Sequence, residues 1–180
     1  MHATRDKFCS FLLALILGGA ALPALADDAC VDFKWDVSKE RALFAETPVA
    51  ATAGKDPPSA PVVVPNRLYL LRLMNQDTVT ISVNPDKKIP ATAVYAGLAA
   101  LKIPSPGSYR IAVDVPLWID VVSNGVLMRP TDFQGQRGCS APHKIVEFDL
   151  AGGQPWVLQF SNAAKDSILV TVTPSPPRKL

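Results

Sequence analysis

The chain reads as all-β: an antiparallel β-sandwich or jelly roll of about eight strands with a short N-terminal helix. Three observations predict this. From Leu68 onward, short runs rich in Val, Ile, Leu and Thr recur, separated by Asn, Gly, Pro and Asp. Within the runs apolar and polar residues alternate at the period of a half-buried strand. No long amphipathic stretch interrupts them, which argues against a parallel α/β sheet.

The first 26 residues stand apart. Arg5 and Lys7 precede the apolar run Phe11–Leu17, and Ala24-Leu25-Ala26 supplies a small-x-small site. That order is the pattern of a secretory signal peptide, and it predicts a periplasmic or secreted protein. The apolar run is too short for a membrane span, which needs about 20 apolar residues. No membrane span is expected after cleavage. Residues 27–173 then form one domain of ordinary size.

Cleavage simplifies the chemistry. It removes Arg5, Lys7 and Asp6, lowering the formal net charge of +2 by one. A near-neutral surface without a basic cluster argues against nucleic acid as a partner. Cleavage also removes Cys9, leaving Cys30 and Cys139. An even count in an exported protein predicts one disulfide. It would close a loop of roughly 110 residues, worth ~4–5 kcal/mol in the chain-entropy model. His143 becomes the only histidine, so a four-ligand zinc shell or a two-histidine iron site cannot be assembled from one chain. No metal and no cofactor is expected.

The elements follow in order. Val31, Phe33, Trp35 and Val37 alternate with Asp32, Lys34 and Asp36, which predicts an extended segment lying on the core. Ser38 to Ala45 holds helix formers for two turns, anchored by Leu43 and Phe44. Five prolines punctuate residues 46–66, predicting an extended connection that crosses between edges of the fold. Strands are expected over 68–74, 78–83, 94–102, 108–114, 117–122, 144–150, 155–161 and 167–173. Val146, Phe148, Leu150, Trp156, Leu158 and Phe160 should face inward, while Glu147, Asp149, Val157 and Gln159 face out. The Pro-rich tail over 174–180 is expected to be disordered.

Chemistry concentrates in two places. The longest loop, Met128 to His143, carries Asp132, Gln134, Gln136, Arg137 and His143, with Cys139 pinning it. On the strand over 117–122, Trp118 and Asp120 share a face. An aromatic plane beside a carboxylate suits sugar or cationic ligands. Trp118, Asp120, Asp132, Arg137 and His143 are therefore the candidate ligand-binding residues. No catalytic residue is assigned. Ser140 has no Gly-x-Ser-x-Gly context, and Glu147 with Asp149 has the spacing of any solvated strand face, about 7 Å.

Leu71-Arg72-Leu73, alternating Val79, Ile81 and Val83, and Pro106-Gly107-Ser108-Tyr109-Arg110-Ile111 resemble bacterial pre-peptidase C-terminal-type β-sandwich modules. That resemblance implies a non-catalytic attachment or accessory domain. The acidic calcium-type loop of those modules has no counterpart here. Cys30-Val31-Asp32-Phe33-Lys34-Trp35 and Asp132-Phe133-Gln134-Gly135-Gln136 also resemble a group of short exported proteobacterial β-sandwich proteins of undefined role. Some of those carry the name homogentisate 1,2-dioxygenase. An enzyme of that name is a much larger cupin that holds iron with histidines and a carboxylate, and this chain lacks the histidines.

The expectation is thus an exported, non-catalytic protein that binds a small molecule, a glycan or an envelope protein. Two alternatives stand beside it: an enzyme (a carboxylate-based hydrolase or a nominal dioxygenase), and an envelope structural or assembly factor.

Overall fold

A computed structural model of the protein describes residue 30, residues 32–81 and residues 94–176. The signal-like stretch, the last two residues of the strand expected over 78–83 and the last four residues lie outside the described residues. Helix α1 spans Ser38–Phe44. Before the first long strand come β1 (Val49–Thr52) and β2 (Val62–Val63), then β3 (Leu68–Arg72) and β4 (Met74–Asn75). The remainder is β5 (Tyr95–Leu101), β6 (Gly107–Val113), β7 (Trp118–Ser123), β8 (Val126–Leu127), β9 (Asp132–Gly135), β10 (Lys144–Leu150), β11 (Trp156–Ala163) and β12 (Ser167–Pro174).

These strands form two six-stranded sheets. One runs β1-β3-β12-β6-β10-β9, and the other runs β2-β5-β11-β7-β8 with β4 added on β5. Leaving out β1, β2, β4 and β9, the remaining strands in chain order give sheets 1-8-3-6 and 2-7-4-5. That is jelly-roll order, in which the chain doubles back and pairs its first long strand with its last. The all-β sandwich expected from the sequence is the observed fold.

The alternation explains the packing. Leu71, Ile111, Val113, Phe148, Leu158, Phe160, Ile168 and Val170 come from both sheets and fill the space between them, each 1% exposed or less. Phe148 and Phe160 are the largest side chains fully enclosed there. Removing either would cost about 3–5 kcal/mol by the usual core-truncation scale.

The structure departs from the sequence expectation at the edges. The proline-punctuated segment does cross between the sheets, but it is not merely extended. It contributes β1 to one sheet and β2 to the other, both in parallel pairing, against β3 and β5 respectively. Between them Asp56 caps a single 3₁₀ turn, Pro57–Ser59, by accepting from the Ser59 N–H. Thr78 closes another such turn, Gln76–Thr78, where a strand was expected. The loop over 128–143 contains β9, which pairs antiparallel with β10. Strand β12 runs on to Pro174, and Ser175 is held by backbone and side-chain bonds, so order reaches into the expected tail.

The outer faces also differ from expectation. Glu147 and Gln159 do point away from the core, yet they are 4% and 0% exposed. Outward is not solvated here, because other segments lie over both sheets. On the first sheet the cover is the N-terminal segment and α1. Phe33 and Val37 pack on Ala112 and Ile145, and Cys30 is joined to Cys139 by the disulfide that the cysteine count predicts.

Candidate functional site

Antiparallel pairing brings four strand ends together at one end of the sandwich: the end of β6, the starts of β7 and β10, and the end of β11. A cleft of about 280 Å³ opens there, lined by Pro116, Leu117, Trp118, His143, Lys144 and Asn162. Each wall is fixed by backbone bonds. The His143 N–H donates to Val113 O at 2.8 Å, tying the long loop to the end of β6. His143 Nδ1 donates to Cys139 O at 2.9 Å, since a carbonyl can only accept. The disulfide at Cys139 thereby helps orient the ring. Lys144 Nζ donates to Leu117 O at 2.8 Å and lies 4.7 Å from the centre of the Trp118 ring. That contact is a cation–π pair, and it places a positive charge against the aromatic wall.

Asn162 enters the cleft through a break in strand regularity. The pairing of β11 with β5 holds from Trp156 to Phe160 and resumes, shifted, at Ala163. Ser161 and Asn162 form the bulge between. Asn162 has φ 59°, the left-handed region that asparagine tolerates better than most residues. Bulges redirect side chains and concentrate near functional sites. The backbone N–H of Asn162 donates to Gln76 Oε1 at 2.8 Å. Its side chain is buried, and neither Oδ1 nor Nδ2 meets a partner among the described residues; the same holds for Ser161 Oγ.

Directly after β6 comes Asp114. Its Oδ1 accepts from the Leu169 N–H at 2.9 Å, and burial nonetheless pushes its carboxyl above the ordinary range. The Leu169 bond and the charges of Lys165 and His143 oppose that shift without overcoming it.

The five candidate residues separate. Trp118 and His143 share the cleft. Asp120 sits two positions along β7 from Trp118, half-buried and opposite Gln159, outside the cleft wall. Asp132 opens β9 and pairs with Lys34 Nζ at 2.5 Å across the surface. Arg137 is exposed in the loop and lines no part of the cleft. Sequence reasoning missed Lys144 and Asn162. An asparagine inside a β run is unfavourable for a strand and was the available sign of a bulge. Lys144 carried no comparable signal.

A second polar cluster lies on the outer face of the first sheet. Arg110 Nε donates to Glu147 Oε2 at 3.2 Å, and its Nη1 donates to Asp36 O at 3.0 Å and lies 3.9 Å from Glu40 Oε1. Ser175 Oγ donates to Glu147 and Thr173 Oγ1 to Glu40, at 2.7 and 2.5 Å. Trp35 covers the guanidinium, 4.9 Å from its ring centre. This cluster is closed off from solvent and fastens the N-terminal segment. A larger hollow of about 380 Å³ lies at the opposite end of the sandwich, and Lys102 is its only charged wall residue among the described residues.

No family model matches the chain, and no curated protein does. Among solved structures, one similar chain is a β-glucosidase from Kluyveromyces marxianus in complex with glucose. It shares 12% identity and a TM-score of 0.32 over 52% of this chain and 12% of that enzyme. The chain thus corresponds to a small fraction of the enzyme's length, and a likeness this faint carries no argument about fold or activity.

Proposed function

We propose that the chain is an exported, disulfide-stapled jelly-roll module that binds a ligand or a partner and does not transform it. The observation that carries this reading is the cleft at the end of β7, β10 and β11. Trp118, His143 and Lys144 are held there by bonds to backbone carbonyls and by stacking, and Asn162 is presented on a bulge. Such a wall of one aromatic, two nitrogen bases and one amide suits recognition by contact and charge. Its polar groups are anchored to main chain and sit on rigid strand ends, which favours a preformed site.

The test is a titration of the purified mature protein, following the Trp118 indole resonance. The panel contains simple sugars, acylamino acids and small cations. A saturable shift, with the added compound recovered unchanged from the same sample, is the expected result. Conversion of the compound into product, or no shift with any class, would overturn the reading.

A further inference from the structure

We propose that the cleft binds the free carboxyl end of an extended peptide, or another acylamino acid, with Asn162 pairing the amide unit and Lys144 supplying charge for the carboxylate. This inference rests on the binding-module reading above and narrows it to one ligand chemistry.

Asn162 is the starting point. The residue is 8% exposed, and its side-chain donor and acceptor are both enclosed and unmet among the described residues. A buried polar group left unpaired destabilises the fold, so both atoms together are costly to keep. They are kept at a bulge, with positive φ, on the wall of a cleft. Cost, strain and location coincide there, as they do at binding sites.

The protein itself shows what a side-chain amide does with an extended chain. Gln134 Oε1 accepts from the Lys34 N–H at 2.8 Å, and Gln134 Nε2 donates to Asp32 O at 2.8 Å. One amide thus holds a backbone donor and a backbone acceptor two residues apart. Asn162 carries the same donor and acceptor in the wall of the cleft.

The rest of the wall sets the ends of the ligand. The Lys144 ammonium is fixed beside Trp118, and the ring of His143 stands on the same wall. The ammonium favours a carboxylate over a cation. Pro116 and Leu117 add apolar surface for a small side chain such as that of alanine. A cleft of about 280 Å³ is at the lower limit for ligand sites, which fits a chain end and not a long peptide. Lys144 lies over one face of the Trp118 ring, which closes that face to a stacking sugar.

The probe is acetyl-Ala-Ala with a free carboxylate, followed through the Trp118 indole resonance. Its controls are the C-terminally amidated acetyl-Ala-Ala, acetylalanine and acetate. Acetyl-Ala-Ala should shift the resonance saturably, the amidated form should bind about tenfold more weakly, and acetate should give no saturable shift. Acetylalanine equal to the dipeptide would assign the site to acylamino acids; weaker binding would assign it to peptide ends. Asn162→Gly, which suits the left-handed backbone, should weaken acetyl-Ala-Ala by about tenfold. Asn162→Asp, which keeps the shape but adds a repelling charge, should do the same and serves if the glycine variant does not fold. Unchanged affinity in a folded variant, or equal binding of the amidated probe, would overturn the inference. Another panel compound moving Trp118 while acetyl-Ala-Ala does not would overturn it and leave the binding-module reading intact. If no compound moves Trp118, both fail.

Discussion

The outer face of the first sheet and the cleft end of the second treat buried polar groups differently, although one oxygen of the first cluster, Glu40 Oε2, is also enclosed without a partner among the described residues. Under the N-terminal segment, Arg110 meets Glu147 and the Asp36 carbonyl, and Ser175 and Thr173 add bonds to the two glutamates. At the end of β11, the Asn162 amide and the Ser161 hydroxyl are equally enclosed and meet no partner among the described residues. The first arrangement converts burial into adhesion of one segment to the sheet. The second holds polar groups in reserve at a mouth open to solvent. Truncating a group should therefore have opposite consequences in the two places.

The largest effect should come from the staple. Replacing Cys30 and Cys139 with serine should lower unfolding stability by about 4–5 kcal/mol, read from chemical denaturation. The loop closed spans a sequence separation of 109, and the segment released is the one that covers Arg110. An unchanged midpoint would show that the N-terminal segment is held by other contacts alone.

Arg110→Ala tests the cluster directly. It strands Glu40 and Glu147, 2% and 4% exposed, without their cation. Breaking a buried charge set in this way costs about 3–5 kcal/mol, and adding Glu40→Gln and Glu147→Gln should recover much of it. A loss below about 1 kcal/mol, as for exposed pairs, would mean that the cluster is solvated.

Asn162→Gly should do the reverse. Its midpoint should equal or exceed that of the unaltered protein, by up to about 1 kcal/mol, because a desolvated and unpaired amide is removed. A clear destabilisation would show that Asn162 is paired in solution and that the contrast between the two regions is wrong.

The smallest effect belongs to Asp114. Burial raises its carboxyl above the ordinary value of 3.8, so folding favours the protonated form. Its contribution to stability is greatest at low pH and falls as pH rises from 3.8 through the raised value. Asp114→Asn should gain on the unaltered protein between pH 4 and pH 7, measured as the difference in denaturation midpoints. Asp56 runs the other way. Its bonds from Ser59 lower its pKa, so the stability it adds is present above 3.8 and is lost as pH falls through the lowered value. Opposite slopes for Asp114→Asn and Asp56→Asn are the expected pair.

What was legible in the sequence follows from range. Alternation in Phe148-Asp149-Leu150 and Trp156 to Phe160 is a local signal, and it located the long strands and their inner faces. Strands of two to four residues, such as β2, β8 and β1, owe their existence to the neighbour they pair with, and no pattern of their own could announce them. Glu147 and Gln159 were placed on the correct side, but their burial depends on what lies over them. For Glu147 that cover is chain about a hundred residues earlier. The cleft was half legible. Trp118 and His143 were visible as an aromatic and a lone histidine, whereas Lys144 depends on a strand start and Asn162 on a bulge.

The pairing of β3 with β12 has a consequence for how the chain matures. β12 is also bonded to β6, so a central position of the first sheet is filled by the last strand, in chain order, among the described residues. During synthesis β1 and β3 wait as one open edge, and β6, β10 and β9 wait as another. Neither half closes until residues 167–174 have been made. Completion is then a single late event built from contacts of high sequence separation, the kind that folds slowly and leaves strand edges unguarded meanwhile. A chain cut short before Ser167 would keep most of its core residues and still have no way to join them.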